Sequence, residues 1–167
     1  LSTDRLELLF IGILNARKGV RILLQAAKLL QKRDVVFQLI IVGDGPGRIS
    51  FEKLRDTFQL QGKVVFVGRT TKIAKYFQHA DVFILPSFGE GMPGVVMEAM
   101  AYGVPIVASN IPCLPDLLPD ESVGQLFPVG NPEALARAVL RYANNEQYRQ
   151  VVLVQARKRI EKVTWDA

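Results

Sequence analysis

Residues 82–109 read VFILPSFGEGMPGVVMEAMAYGVPIVAS, and this stretch decides the fold. Its first four residues, 82–85, form an apolar run of strand length that ends at Pro86. Residues 86–94 then hold three glycines and two prolines, a composition better suited to a backbone that meets a ligand than to a packed one. Helix signals run from 94 to 102 and stop at Gly103, because glycine readily takes the left-handed conformation that closes a helix. Residues 104–109 return as an apolar strand, with Pro105 tolerated near its start. Strand, helix and strand in this order make a βαβ unit with parallel strands.

The alternation extends in both directions. Upstream lie a buried strand at 6–11, a helix at 18–32 and a second buried strand at 36–42. The helix carries an apolar stripe of Val20, Leu23, Leu24, Ala27 and Leu30. Gly43-Asp44-Gly45-Pro46 turns the chain into a helix at 48–58, followed by a strand at 64–67 and a short helix at 71–79. Downstream, a loop with Pro112, Pro115 and Pro119 leads to a short strand at 124–127. Asn131-Pro132 caps a helix running to 142, and a last helix covers 146–163. No repeat, low-complexity tract or linker interrupts the pattern, so 1–167 is read as a single domain. The fold class is α/β: a doubly wound, Rossmann-like parallel sheet of about six strands with helices on both faces. Right-handed crossovers favour the strand order 3-2-1-4-5-6.

Composition narrows the function. Hydrophobic content of 49% and charged content of 22% are those of a globular domain, and no apolar run approaches the roughly 20 residues of a membrane span. A lone cysteine, Cys113, and a lone histidine, His79, exclude a disulfide framework and a Cys- or multi-His metal centre. Cys113 is expected in packing and His79 at a surface or helix end. The amino terminus lacks the layout of a signal peptide, and Leu1 reads as a start inside a longer protein; a cytoplasmic setting is expected. Between Arg137 and Lys162 seven basic residues face two acidic ones, which accounts for the whole net charge of +5. That tail reads first as a solvated helical face and second as a surface for an anionic membrane or an acidic partner. Nucleic acid is not expected, because no stacking aromatics interleave the charges.

In open sheets of this kind ligands collect at the carboxyl edge, where strand order reverses. The first and fourth strands would be neighbours there, and the loops leaving them, 12–18 and 86–94, are the most unusual stretches in the chain. The second loop runs into a helix whose free N–H groups and positive dipole end favour phosphate by about 0.3–1 kcal/mol. Glu98, just past the first turn of that helix among apolar neighbours, is suited to accept hydrogen bonds from a ribose diol. Glu90 in the loop is placed to point beyond the phosphates. Lys18, at the start of the first helix, opposes the helix dipole, a penalty that a bound polyphosphate would remove. Taken alone, each of the three would pass as a solvated side chain. Gly89-Glu90-Gly91-Met92-Pro93-Gly94 also satisfies the GxGxxG pattern of a dinucleotide site. It follows the fourth strand rather than the first, Pro93 removes an N–H, and the next strand ends in Ser109-Asn110 without an acid. A nicotinamide oxidoreductase is therefore the weaker alternative, and no P-loop sequence is present.

The segment ending at Ser109 closely resembles the signature of the retaining glycosyltransferase family 4 type (glycosyl transferases group 1), in which seven residues separate two glutamates. The likeness extends to Lys18-Gly19, the IVGDGPG turn, VFVGRT at 65–70, Gln125-Leu126-Phe127-Pro128 and residues 132–138. It implies a GT-B fold, two Rossmann-like domains facing across a cleft, of which this chain would be the C-terminal one. The N-terminal acceptor domain and a final crossover helix after residues 164–167 would then lie outside these residues. The resemblance implies hexosyl transfer with retention from a nucleoside-diphosphate sugar, without metal or other cofactor. Glu90 would contact the donor sugar, Lys18 the diphosphate and Glu98 the ribose. Backbone at Gly91, Met92, Gly94 and Val95 would meet sugar and phosphate, and Gly68 and Arg69 would border the base. The family carries an arginine after the glycine equivalent to Gly12, where this chain has Ile13; Arg17 or Arg69 are the expected substitutes. The isolated domain is expected to be inactive. A catalytically silent sugar-nucleotide-binding or scaffolding domain is the other reading, favoured by Ile13.

Overall fold

The computed structural model of the chain describes residues 5–165. Six parallel strands form one sheet in the order β3-β2-β1-β4-β5-β6, the expected doubly wound arrangement. They are β1 (Leu6–Ile11), β2 (Phe37–Val42), β3 (Val64–Gly68), β4 (Val82–Leu85), β5 (Ile106–Ser109) and β6 (Gln125–Phe127). The helices are α1 (Val20–Lys32), α2 (Arg48–Thr57), α3 (Ala74–His79), α4 (Gly94–Tyr102), α5 (Pro132–Ala143) and α6 (Glu146–Trp165). The expected crossover segment and residues 166–167 lie outside the described residues.

Strand alternation splits the core into two layers. Leu8 and Phe10 of β1, Leu39 and Ile41 of β2, Ile84 and Val107 pack beneath α1, α2 and α5. Leu9, Phe83, Leu85, Ile106 and Ala108 face the opposite way, against α3 and α4. Both layers are buried, which is why the strands read as continuous apolar runs. α6 joins the layers, because Val152 belongs to the first and Ala156 to the second. No helix among the described residues is long and apolar enough to cross a membrane.

Several boundaries differ from those expected, each for a local reason. Lys18 does not open α1. It ends a 3-10 turn, Ala16–Lys18, capped by Asn15, and Gly19 at φ 70° separates that turn from the helix. β5 begins at Ile106 rather than 104, because Pro105 has no N–H for the ladder, although its carbonyl accepts from Phe83 N at 2.8 Å. α3 begins at Ala74 rather than 71, since Thr70 Oγ1 accepts from Lys72 N in a tight turn instead of capping a helix. His79 closes α3 with Nδ1 2.6 Å from Lys75 O, as a helix-end residue should. Cys113 is half-buried beside the second core layer.

The basic tail is largely a solvated face, with Arg137, Arg141, Arg157, Lys158 and Lys162 exposed, but parts of it are engaged. Arg149 is buried, Arg141 pairs with Glu121, and an Arg159 guanidinium N–H donates to the Asp116 carbonyl. The tail also braces the end of the sheet. Tyr142 is fully buried, stacks on Tyr148 at 5.2 Å and donates to Ile106 O at 3.3 Å.

Burial pushes the Tyr142 phenol far above its ordinary range. In the unfolded chain the group loses its proton near pH 10, so above that pH the native state holds one more proton than the unfolded state. Its contribution is complete below about pH 10 and falls by about 1.4 kcal/mol per pH unit above it. Tyr142→Phe is therefore expected to cost about 0.5–1.5 kcal/mol at neutral pH through the lost hydrogen bond, yet to flatten the alkaline loss of stability. Urea melts of both forms from pH 8 to 11 test this; parallel curves would contradict it.

Candidate functional site

β1 and β4 are neighbours, with Leu8 opposite Val82 and Leu9 opposite Phe83. Their outgoing loops consequently start side by side at the carboxyl edge, and several contacts bind them together. Phe88 N donates to Arg17 O at 2.8 Å, and Arg17 Nη1 donates to Gly89 O at 3.0 Å. Gly19 lies so close to the other loop that a Cβ there would stand 1.9 Å from Pro86 O. With its positive φ, this position accepts only glycine.

The centre of the contact is an ion pair. Lys18 Nζ donates to both oxygens of Glu90, at 2.6 Å to Oε1 and 2.8 Å to Oε2. The two side chains retain only 14% and 8% of their exposure. Ser87, fully buried, donates its hydroxyl to Glu90 Oε1 at 2.6 Å. Two sequence expectations are thereby corrected. Lys18 is not an uncompensated cation at a helix start, and Glu90 is not free in its loop. Each neutralises the other, since a charge removed from water without a partner is strongly destabilising.

Around the pair the backbone is open. A Cβ built on Gly89, Gly91 or Gly94 meets nothing within 4 Å, and none of the three has a positive φ. Gly62, in an exposed turn, shares that property, so open space alone is not diagnostic; the clustering of three at the start of α4 is. By contrast, a Cβ at Gly43 would stand 1.9 Å from Gly12 O, and one at Gly45 would stand 2.7 Å from Leu14 O. The IVGDGPG glycines thus serve packing between loops. Among the described residues, the amides of Gly91, Met92 and Val95 have no acceptor. The Gly94 amide is turned to Met92 O at 2.9 Å, so that expected donor is already engaged. Met92 and Phe88 expose 81% and 51% of their surface, which leaves apolar side chains at the rim of the open backbone.

Glu98 sits on the first turns of α4, exposed and without an ion pair among the described residues. Beside the pair, a cavity of about 340 Å³ opens at the ends of β1, β2 and β3, lined by Gly12, Ile13, Gly43 and Arg69 among others. Ile13 is 56% exposed there, an apolar side chain where the family resemblance calls for a cation. Of the two expected substitutes, Arg69 is exposed on that cavity and Arg17 is held by Gly89 O. Gly68, at φ 88°, accepts from Gly43 N at 2.9 Å and closes the same edge. Sequence reasoning missed Ser87. Its spacing to Glu90, Ser-x-x-Glu, is that of a capping box, and would have flagged the pair had a helix followed directly.

A cation, a carboxylate and unpaired amides are gathered at the topological switch point, the place where open α/β sheets collect their ligands. The sequence profile of the family "Glycosyl transferases group 1" matches residues 5–145, and the chain belongs to that family. It is 31% identical over 164 residues to the amylovoran biosynthesis glycosyltransferase AmsK of Erwinia amylovora, covering 93% of this chain and 40% of AmsK. An uncharacterized glycosyltransferase of Methanocaldococcus jannaschii is 32% identical over 167 residues, covering 98% of this chain and 42% of its own length. The chain thus spans about two fifths of these relatives. Among solved structures, S. aureus TarM, crystallised with fondaparinux, alpha-GlcNAc-glycerol and UDP, superposes with a TM-score of 0.88 at 25% identity. That match covers 93% of this chain and 32% of TarM. The architecture is that of one Rossmann-like half of a GT-B glycosyltransferase.

The loop contact has a measurable strength. Removing one member of a buried pair costs about 3–5 kcal/mol, because the other charge is stranded. Lys18→Met and Glu90→Gln should each destabilise the fold by more than the double substitution does, as read from urea midpoints in a double-mutant cycle. Additive effects would mean that the pair is not coupled. Gly19→Ala should cost at least about 2 kcal/mol, from the forced positive φ and the clash with Pro86 O.

Proposed function

We propose that this domain binds a nucleoside-diphosphate sugar and acts as the C-terminal, donor-holding half of a retaining hexosyltransferase. The single observation that carries the reading is the Lys18–Glu90 pair set beside unpaired amides at the junction of the β1 and β4 loops. Family membership and the UDP bound by TarM support the donor class.

In this reading Lys18 and the start of α4 stabilise the charge that develops on the leaving diphosphate. The amides of Gly91, Met92 and Val95 are free to donate to sugar and phosphate oxygens. Glu98 accepts from the ribose diol, and Arg69 supplies the second cation that Ile13 does not. Glu90 orients the sugar through its hydroxyls rather than attacking it. The acceptor is held by an N-terminal domain across the cleft, so these residues alone bind the donor weakly and do not turn it over. The nicotinamide reading rests on the GxGxxG pattern alone, and that stretch follows β4 with its Gly94 amide engaged by Met92 O.

A thermal-shift panel of UDP, GDP, ADP and their hexose esters against the full-length protein should select one base. Against that ligand, Lys18→Ala and Glu98→Gln should each lower affinity about tenfold or more, as expected for a lost charged hydrogen bond of about 1.5–3 kcal/mol. Unchanged affinity in both would remove the proposed pocket. The second reading, a silent binding domain, is favoured by Ile13 alone. Slow donor hydrolysis by the full-length protein separates the two: its presence supports an enzyme, and tight binding without hydrolysis or transfer supports the silent form.

A further inference from the structure

Glu90 is held in an unusual way. A Cβ on either neighbour, Gly89 or Gly91, would meet nothing within 4 Å, and the backbone beside it is held on one side only, where Gly89 O accepts from Arg17. The carboxylate is instead fixed by its own hydrogen bonds, two from Lys18 and one from Ser87. These anchors differ in kind. Lys18 is a flexible cation on a long stem, drawn toward any polyphosphate that enters. Ser87 is fully buried, has a short side chain, and follows Pro86, whose carbonyl is pressed against Gly19.

We infer that Ser87 is a positioning residue that keeps the Glu90 carboxylate aimed at the donor sugar once the diphosphate has taken Lys18. The inference rests on the donor reading above. In the free domain Lys18 and Ser87 share the work. With donor bound, Lys18 turns part or all of its N–H capacity to phosphate, and Ser87 Oγ becomes the remaining fixed donor to Oε1. The serine touches neither sugar nor phosphate itself. Its effect must therefore appear only where Glu90 matters, in recognition of the sugar and not of the nucleoside diphosphate. A serine that merely filled space would affect both ligands alike.

The test compares two ligands on three proteins. Titration calorimetry on the full-length protein measures Kd for the nucleoside diphosphate chosen from UDP, GDP and ADP, and for its hexose esters. The ratio of the two values is the increment due to sugar. For Ser87→Ala the diphosphate Kd should stay within about twofold of the parent, while the sugar ester weakens about tenfold, the scale of one charge-assisted hydrogen bond. For Glu90→Gln the increment should fall by at least as much. If Glu90→Gln loses the increment and Ser87→Ala keeps it, the positioning role is wrong and the donor reading stands. Retention of the increment in Glu90→Gln, or no binding of any probe to the parent protein, would overturn the donor reading and this inference with it. Equal weakening of both ligands in Ser87→Ala would reduce the serine to a packing residue. Replacing a buried serine by the smaller alanine leaves the fold intact, which thermal melting of the variant verifies.

Discussion

The bond between Lys18 and Glu90 is the constraint on which the site's construction depends. Two charges largely removed from water must face each other, and these two belong to loops 72 residues apart in sequence. The pair can form only because β1 and β4 are adjacent, which the reversal of strand order at that point ensures. It can form at 2.6 Å only because Gly19 lets the first loop press on Pro86. Arg17 reinforces the approach from both its carbonyl and its guanidinium. The sheet topology, one glycine and one arginine therefore serve a single juxtaposition.

The glycines divide by the same logic. Those at 19, 43 and 45 stand at close approaches between the backbones of neighbouring loops, two of them at positive φ, and a side chain on Gly12 would crowd the Phe10 ring. Their identity is explained inside the chain. Gly89, Gly91 and Gly94 have no internal neighbour that excludes a side chain. A side chain at these positions would obstruct only something that arrives from outside. Among the described residues the same segment also leaves the amides of Gly91, Met92 and Val95 without acceptors and two apolar side chains in solvent, so three properties coincide at one place.

Much of this was legible in the sequence. All six strands and their order were, because strands buried on both faces are continuous apolar runs and short helices between them leave few topologies. The two loops were legible as well, since adjacency of β1 and β4 follows from the order. What escaped was set by tertiary contact. Lys18 looked like a helix start because Val20 to Leu30 carry the helical stripe, and nothing local announces that Gly19 takes a left-handed turn to meet Pro86. The carboxylate of Glu90 looked free because its sequence neighbours are glycines, whereas its partners come from burial of Ser87 and from another crossover. The basic tail read as solvated and most of it is, but the partners of Arg141 and Arg159, Glu121 and the Asp116 carbonyl, were hidden in a proline-rich loop without periodicity.

The ion pair also bears on how a charged ligand can enter. An unpaired lysine would attract phosphate more strongly, but it would leave a desolvated cation in the free domain, and an unpaired Glu90 would repel the same ligand. Pairing removes both penalties, so that binding becomes an exchange of partners rather than the filling of a charged vacancy. Such an exchange requires that each group be offered a substitute: phosphate oxygens for Lys18, and hydroxyl donors for Glu90. In the proposed reading, where the ribose hydroxyls go to Glu98, a nucleoside diphosphate alone supplies only the first, whereas a sugar ester supplies both. On that reading the two residues would favour a ligand that carries anionic oxygens and sugar hydroxyls a few ångströms apart. In the proposed reading Arg69, exposed on the adjoining cavity, would balance the phosphate charge that a lysine still partly held by its carboxylate does not neutralise.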